Sequence, residues 1–372
     1  MLRLAPNMSS AILDQMLSST EITATIKQAA QDAGFELAGV AAVSDGPERE
    51  HFERWIAAGH AGEMNYLEAR DEQNRLKRAS LAHVAPWARS VVVCAINYNT
   101  AQPYSTQVRP EEAGRGWISR YAWSREDYHE AVMRKLRVVE NALRRVAGAG
   151  DLTTRCYVDT GPIAERTVAK YAGIGWVGKN TCVIQQKLGS WLFLGVILTS
   201  LELRPDLPAP DRCGTCTRCI DACPTDALIA PYQLDANKCI SYLTIEKRGS
   251  IPEEIRAGMG RHVFGCDICQ DVCPWNRKAP ATREAVFQPR PDLVNPALDW
   301  LATISAEEFR EAFRGSPVRR AKRNGLRRNA VIAMGNSGER KFFRLLDKLT
   351  DDEDEVVAES ARWARNRLAS GG

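Results

Sequence analysis

The sequence predicts a layered α/β domain that runs into a cysteine-dense segment and ends in a helical tail. Three observations lead there: helical and strand patterns alternate over the first two hundred residues, eight of the 11 cysteines lie between Cys213 and Cys273, and two similar helical stretches occur near the end of the chain. The 372 residues suffice for more than one core. A hydrophobic share of 44%, a charged share of 26% and a mean hydropathy of −0.32 exclude a membrane-embedded, collagen-like or largely disordered chain.

Ile22, Ile26, Ala29, Ala30 and Ala33 repeat at helical spacing before Gly34, and FELAGVAAV then alternates as a strand. A second helix carries Phe52, Trp55 and Ile56; SVVVCAINY, from Ser90 to Tyr98, reads as a buried strand. Arg125 to Ala147 is a long amphipathic helix stopped by Gly148. The strand TTRCYVDT, a helix from Pro162 to Tyr171 with proline in its first turn, and apolar strands around Val183 and Leu194 complete the domain, residues 20–204. The Pro-rich run Arg204–Pro210 opens the cysteine region, 205–290, and a second such run, Pro280–Pro296, leads into the tail, 291–372. There GLRRNAVIAMGNSG and EVVAESARWARNRL each gather small and apolar residues on one helical face, as parts of a HEAT-type repeat do. Residues 1–19 read as a leader outside the fold or a misassigned start.

Thiols so clustered suggest either disulfides or metal. The N-terminus, MLRLAPNMSSAILDQM, lacks the long apolar core of an export signal, and the richest apolar stretch, Trp191 to Thr199, is half of the ~20 residues that span a bilayer. A reduced, cytoplasmic chain holding metal is the expectation. The spacing is CxxCxxCxxxCP at Cys213, Cys216, Cys219 and Cys223, then Cys239, then CxxCxxxCP at Cys266, Cys269 and Cys273. A 4Fe-4S cluster needs four thiolates on separate corners of a cube. Two CxxC steps wrap three corners, and the cysteine three residues on points away to a second cluster. Cluster one then takes Cys213, Cys216, Cys219 and Cys273; cluster two takes Cys223, Cys266, Cys269 and the outlying Cys239. Two structural zinc ions are the alternative, but zinc sites more often pair two CxxC knuckles. The lone Cys94, Cys156 and Cys182 lie in apolar strands and read as packing residues.

The most distinctive stretch of the first domain is VDTGPIAERTVAKYAGIGWVGKN, Val158 to Asn180. Asp159 stands where a strand gives way to a helix, either as a site residue or as a turn or capping aspartate. Gly173, Gly175 and Gly178 lack the spacing of a nucleotide loop and read as places where the backbone approaches something bulky.

With the two cysteine runs, the FGCDICQDVCPWN string from Phe264 to Asn276 and the helical tail, this stretch resembles the epoxyqueuosine reductase family over nearly all of the chain after Thr20. The resemblance implies a nitroreductase-like cobalamin-binding domain, a two-cluster ferredoxin-like domain and a tail that grips tRNA. It implies reduction of epoxyqueuosine to queuosine at the wobble position of the anticodon, with loss of the epoxide oxygen as water. Electrons would come from a donor such as a ferredoxin or flavodoxin, and the chain would act as a monomer without a membrane. Asp159 matches the family's proton donor. Such a role needs a carboxyl pKa well above ~3.9, which burial beside an apolar corrin face would bring about; no close basic partner is expected, with Glu165 and Arg166 paired to each other or to backbone. Arg78, Ser119, Val183, Leu194, Ser241 and Asp267 fall where the family lines cobalamin, and Ala164 and Gln185 near the modified base. Arg78 departs from the pattern, because LKRASLAHVAP lacks the proline often found just after that arginine, and an ordinary solvated arginine stands as the other reading. No DxHxxG string supplies a lower axial ligand, in keeping with a family in which no protein group binds cobalt, and His129 is expected on the surface.

Net charge is only +4, yet Arg310 to Arg344 holds 11 Lys or Arg against two acidic residues before the acidic run Asp351 to Glu355. Arg319, Arg320, Lys322, Arg323, Arg327 and Arg328 are then either a solvated face or, on the resemblance, contacts to anticodon-stem phosphates. Two rivals remain. A reductive dehalogenase also joins cobalamin to two clusters, but usually carries a twin-Arg leader, where this sequence has only Arg3. A non-catalytic electron-transfer module leaves the first domain without a purpose.

Overall fold

Ser90–Asn97 is buried at every position because both faces of its sheet are covered. The sheet has four antiparallel strands in the order Leu37–Ala42, Ser90–Asn97, Leu192–Thr199, Thr154–Tyr157. The computed structural model describes residues 18–107, 109–148 and 151–370, so all but the last two residues of the expected leader lie outside the described residues. Register puts Val40, Val92 and Ile197 side by side on one face and Ala41, Val91 and Leu198 on the other. The first face packs under the helices Ser19–Asp32 and Tyr128–Ala147 through Ile26, Leu136 and Val139, and the second under Glu165–Tyr171 through Val168 and Ala169. This is the α+β form of the predicted layering: strand neighbours are antiparallel, with helices on both faces.

Local chemistry moves several boundaries. The long helix starts at Tyr128 rather than Arg125 because Asp127 caps it, accepting the His129 N–H at 3.0 Å, and it stops at Gly148 with φ of +64°. Val183–Ile184 does not join the sheet but makes a small hairpin with Trp176–Val177. The bulky neighbour expected at the glycines is that hairpin itself: a Cβ on Gly175 would stand 2.3 Å from the Ile184 carbonyl oxygen. The Pro-rich run after Arg204 is stitched to the sheet, with Asp206 accepting the Val40 N–H at 2.8 Å and pairing with Lys27.

The tail shares a core with the middle of the chain. Trp117, Trp123 and Phe264 pack with Leu298, Phe313, Leu326 and Val357, around the parallel pair Trp117–Ile118 and His262–Phe264. Helices Lys322–Asn336 and Glu355–Ala369 meet so closely that a Cβ on Gly335 would lie 2.8 Å from Ala364. Every residue from Leu326 to Gly335 is buried, and this overturns part of the predicted basic surface. Arg327 pairs with Asp352 and donates to the Ala302 carbonyl. Arg328, 1% exposed, donates to the carbonyls of Leu243, Lys247 and Gly249. Burial lowers its pKa to about 10, which leaves it a cation at neutral pH. Neither guanidinium is free for a phosphate.

Candidate active site and thiol clusters

Asp159 follows the end of the strand Thr154–Tyr157 and holds a left-handed φ of +56°. Aspartate tolerates this conformation better than most residues, and such strain outside glycine tends to mark a site. Its N–H donates to Glu165 Oε1 at 2.8 Å, and its Oδ2 accepts from the Tyr128 hydroxyl at 2.8 Å. His129 Nε2 stands 3.9 Å from the same oxygen, while its Nδ1 is 2.6 Å from Asp127. Burial opposes protonation of His129, yet the Asp127 hydrogen bond and charge, with Asp159 beyond, raise its pKa overall. Burial, and next the Asp159 charge, push the Glu165 carboxyl up to about 7.

The Asp159 side chain is 68% exposed on the surface of the protein, because the left-handed turn lifts it off the sheet. One expectation for this residue needs correction: it has a basic neighbour, since the capped first turn of the long helix brings His129 round to it rather than leaving it on the surface. Glu165 and Arg166 do find backbone partners, the Asp159 N–H and the Thr181 carbonyl. Tyr128 and His129 were not found from sequence as site residues; their signal was two polar rings directly after a helix-capping aspartate. Tyr66 was also missed. It is 49% exposed, feels the charges of Asp159 and Arg78, and lies under the Arg320 guanidinium at 5.5 Å.

The residues expected to line a cofactor divide into two groups. Arg78 Nη1 donates to the Ile163 carbonyl at 2.7 Å, and its buried Nε has no partner, so one donor is held ready beside Glu165 and Tyr66. Val183 is buried, Leu194 half-buried, and Ser241 lies in the first turn after Cys239. Ser119 and Asp267 differ from expectation: both are buried, and the Asp267 carboxylate is consumed by the Ser119 hydroxyl, the Trp117 indole N–H and the Arg120 N–H. Together they tie the parallel strand pair to the second cysteine run, and neither side chain is free to hold a ligand. Ala164 is exposed beside Glu165, while Gln185 Oε1 accepts the N–H groups of Lys187 and Leu188 and so shapes its own turn.

The eight clustered thiols sort into two neighbourhoods. Cys219 feels Cys213 and Cys216, and Cys273 feels Cys213 and Cys219. Cys239 feels Cys223, Cys266 feels Cys239 and Cys223, and Cys269 feels Cys266 and Cys239. Backbone N–H groups point at the sulfurs, from Ala227 to Cys223 at 3.3 Å, from Tyr242 and Ser241 to Cys239, and from Trp275 to Cys273. Such donors favour thiolates, the form that ligates metal. Among the described residues no three His, Cys, Asp or Glu side chains close on a single metal ion. Cys94 and Cys156 are packing thiols whose pKa burial raises, Cys156 to about 12. Cys182 is not simply packing: it lies beside Cys269, an interaction that lowers the Cys182 pKa and raises that of Cys269.

Of the tail cations, Arg319, Arg320 and Lys322 are exposed, and Arg320 pairs with Glu246. Arg323 is half-buried and donates to the Ile304 carbonyl. No helix among the described residues is long and apolar enough to cross a membrane.

An acid site on an α+β core, joined to a cysteine domain with two thiol neighbourhoods, defines an iron–sulfur oxidoreductase; residues 212–276 match the model of a 4Fe-4S double cluster binding domain. Residues 78–160 match the model described as epoxyqueuosine reductase QueG, DUF1730. The chain is 37% identical to an epoxyqueuosine reductase of Xanthomonas campestris, over 93% of this chain and 96% of that one, and 39% identical to one of Pseudomonas aeruginosa, over 92% and 93%. It therefore belongs to the epoxyqueuosine reductase family. A crystal structure of an epoxyqueuosine reductase with an epoxyqueuosine-modified tRNA-Tyr stem loop superposes with a TM-score of 0.82 at 31% identity, over 94% of this chain and 91% of that one. The Bacillus subtilis enzyme, described with an aspartate catalytic loop swung out of its active site, gives a TM-score of 0.83 at 30% identity, over the same shares.

Proposed function

We propose that this chain reduces epoxyqueuosine to queuosine in tRNA, with Asp159 as the proton donor. The observation that carries the reading is Asp159 itself, raised on a left-handed turn and surrounded by Tyr128, His129 and Glu165, in a chain related to epoxyqueuosine reductases along nearly its whole length. The reaction consumes two electrons and two protons and releases the epoxide oxygen as water. Tyr128 fixes the Asp159 carboxyl by a hydrogen bond; burial keeps that phenol protonated and therefore a donor. Asp159 delivers its proton to the departing oxygen. His129, kept protonated by Asp127, restores it from the solvent side, and Glu165 holds the turn through the Asp159 N–H. Cobalamin and 4Fe-4S clusters, when bound, supply a low-potential two-electron centre and one-electron carriers to it. Arg78, Ser241, Val183 and Leu194 would hold the corrin, the unpartnered Arg78 Nε being the observation that fits. Cys213, Cys216, Cys219 and Cys273 would hold one cluster and Cys223, Cys239, Cys266 and Cys269 the other.

Three measurements test this reading. Anaerobic incubation of cluster-loaded protein with cobalamin, a reductant and epoxyqueuosine-containing tRNA is expected to yield queuosine by nucleoside mass spectrometry; no product overturns it. Cys239→Ser is expected to lower iron content by about half, one cluster of two. Full retention would remove Cys239 from the ligand set. Turnover is expected to fall as pH rises through about 7, where Glu165 loses its proton. The stability linkage has the same direction: the folded chain keeps a Glu165 proton that the unfolded chain releases above 4.5, so this group's contribution declines between 4.5 and about 7. Glu165→Gln should flatten the profile near 7, and an unchanged profile would separate Glu165 from the proton path.

We assign tRNA contact in the tail, read as a HEAT-type helix pair, to the exposed Arg319, Arg320 and Lys322. The Arg320–Tyr66 stack lets one of these cations reach the mouth of the site.

A further inference from the structure

A basic face lies beside the first cysteine run, and the inference drawn from it rests on the proposed reductase function. From 211 to 219 every residue except Cys213, Cys216 and Cys219 is exposed, so these three thiols of the first set lie close to solvent, with the buried Cys273 behind them. The second set lies deeper: Gly265 and Asp267 beside Cys266 are buried, and Cys269 touches Cys182, which in turn feels Arg166, the neighbour of Glu165. The order from surface to site is therefore the first set, the second set, then Asp159.

A cavity of about 450 Å³ opens on the seam between the short helices Arg218–Asp221 and Ile268–Asp271, which carry Cys219 and Cys269. Arg218 and Arg277 line it, and Arg212 and Lys278 flank them in sequence; all four are exposed. These four have no ion-pair partner among the described residues, whereas Lys135 and Arg290 elsewhere in the chain are paired with Glu284 and Asp292. Of the two acids at the cavity, Asp221 is exposed and accepts from the Thr217 hydroxyl at 2.8 Å without pairing with a cation, and Asp271 is buried and turns inward to the N–H and hydroxyl of Ser105, so the four cations outnumber the one exposed acid. Unneutralised cations above the outermost thiol set fit an acidic partner that arrives, transfers and leaves.

We propose that this face docks a small acidic one-electron carrier protein of the flavodoxin class. Each docking oxidises the carrier by one electron and reduces the chain by one. Two dockings with two protons balance one epoxide oxygen lost as water.

The test uses the full, cluster- and cobalamin-loaded chain and its Arg218→Glu/Arg277→Glu variant, with a reduced acidic flavodoxin or dithionite as electron source. The variant is expected to raise the apparent KM for flavodoxin by about tenfold and to weaken flavodoxin binding, measured by fluorescence anisotropy, to a similar degree. Dithionite-driven queuosine formation, iron content and tRNA affinity should match the parent. Unchanged flavodoxin dependence overturns the proposal, and so does a weakened tRNA affinity, which would give the face to nucleic acid. Equal loss with both electron sources overturns it too, as structural damage. Absence of queuosine from the parent with dithionite would instead sink the reductase reading.

Discussion

Asp159→Asn is expected to lower queuosine formation by about 10²- to 10⁴-fold while leaving tRNA affinity and iron content unchanged. Asparagine keeps the shape of the side chain, offers an oxygen to the Tyr128 hydroxyl and tolerates the left-handed φ of +56°, so the turn survives. It cannot give up a proton as a carboxylic acid does. Alanine would be a poorer test, because at this φ it adds backbone strain of about 1–2 kcal/mol to the chemical loss. His129→Gln should reduce the rate less, since it removes the group that restores the proton and leaves the group that delivers it. Its loss should shrink as pH falls and Asp159 takes its proton directly from solvent. Single-turnover kinetics under anaerobic conditions separate these cases. A rate for Asp159→Asn near that of the parent would end the assignment.

The cysteine spacing was legible because cluster ligation is a local code: three thiols on one loop and a fourth turned away follow from the chain's own geometry, and the interleaved thiol neighbourhoods have that arrangement. Periodicity likewise revealed Ser90–Asn97, whose two faces are both apolar. What stayed illegible depended on contacts between distant segments. Asp267 looks like a polar residue available to a ligand until Ser119, Trp117 and Arg120 are folded onto it from about 150 residues away. Cys182 reads as an apolar-strand thiol until Cys269 arrives beside it. Arg327 and Arg328 sit in a basic tract, and nothing local distinguishes them from Arg319 and Arg320. The difference is place along the chain: Arg327 and Arg328 open the wholly buried stretch Leu326–Gly335, whose core includes Trp117, Phe264 and Val357, whereas Arg319 and Arg320 lie in the short turn Pro317–Ala321 before that helix.

That burial leads to the other large expected effect. Arg328→Met should destabilise the chain by about 3 kcal/mol, because the buried carbonyl of Leu243 would be left without its donor and the part-buried bonds to the Lys247 and Gly249 carbonyls would be lost. Methionine roughly fills the space of the stem, so the loss reports hydrogen bonds more than a cavity. Two of those carbonyls lie just past the helix Ile240–Ile245, whose first turn donates to Cys239, so cluster retention should weaken along with stability. Arg328→Lys keeps the charge but cannot span three acceptors as a planar guanidinium does, and it should fall between the two. Arg319→Ala, at an exposed position, should change stability by less than about 0.5 kcal/mol. It should instead lower the salt dependence of tRNA binding by about one counterion. Chemical denaturation beside a salt titration of tRNA affinity checks both. If Arg328→Met kept full stability and lost tRNA affinity with a shallower salt slope, Arg328 would be a phosphate contact rather than a buried clamp.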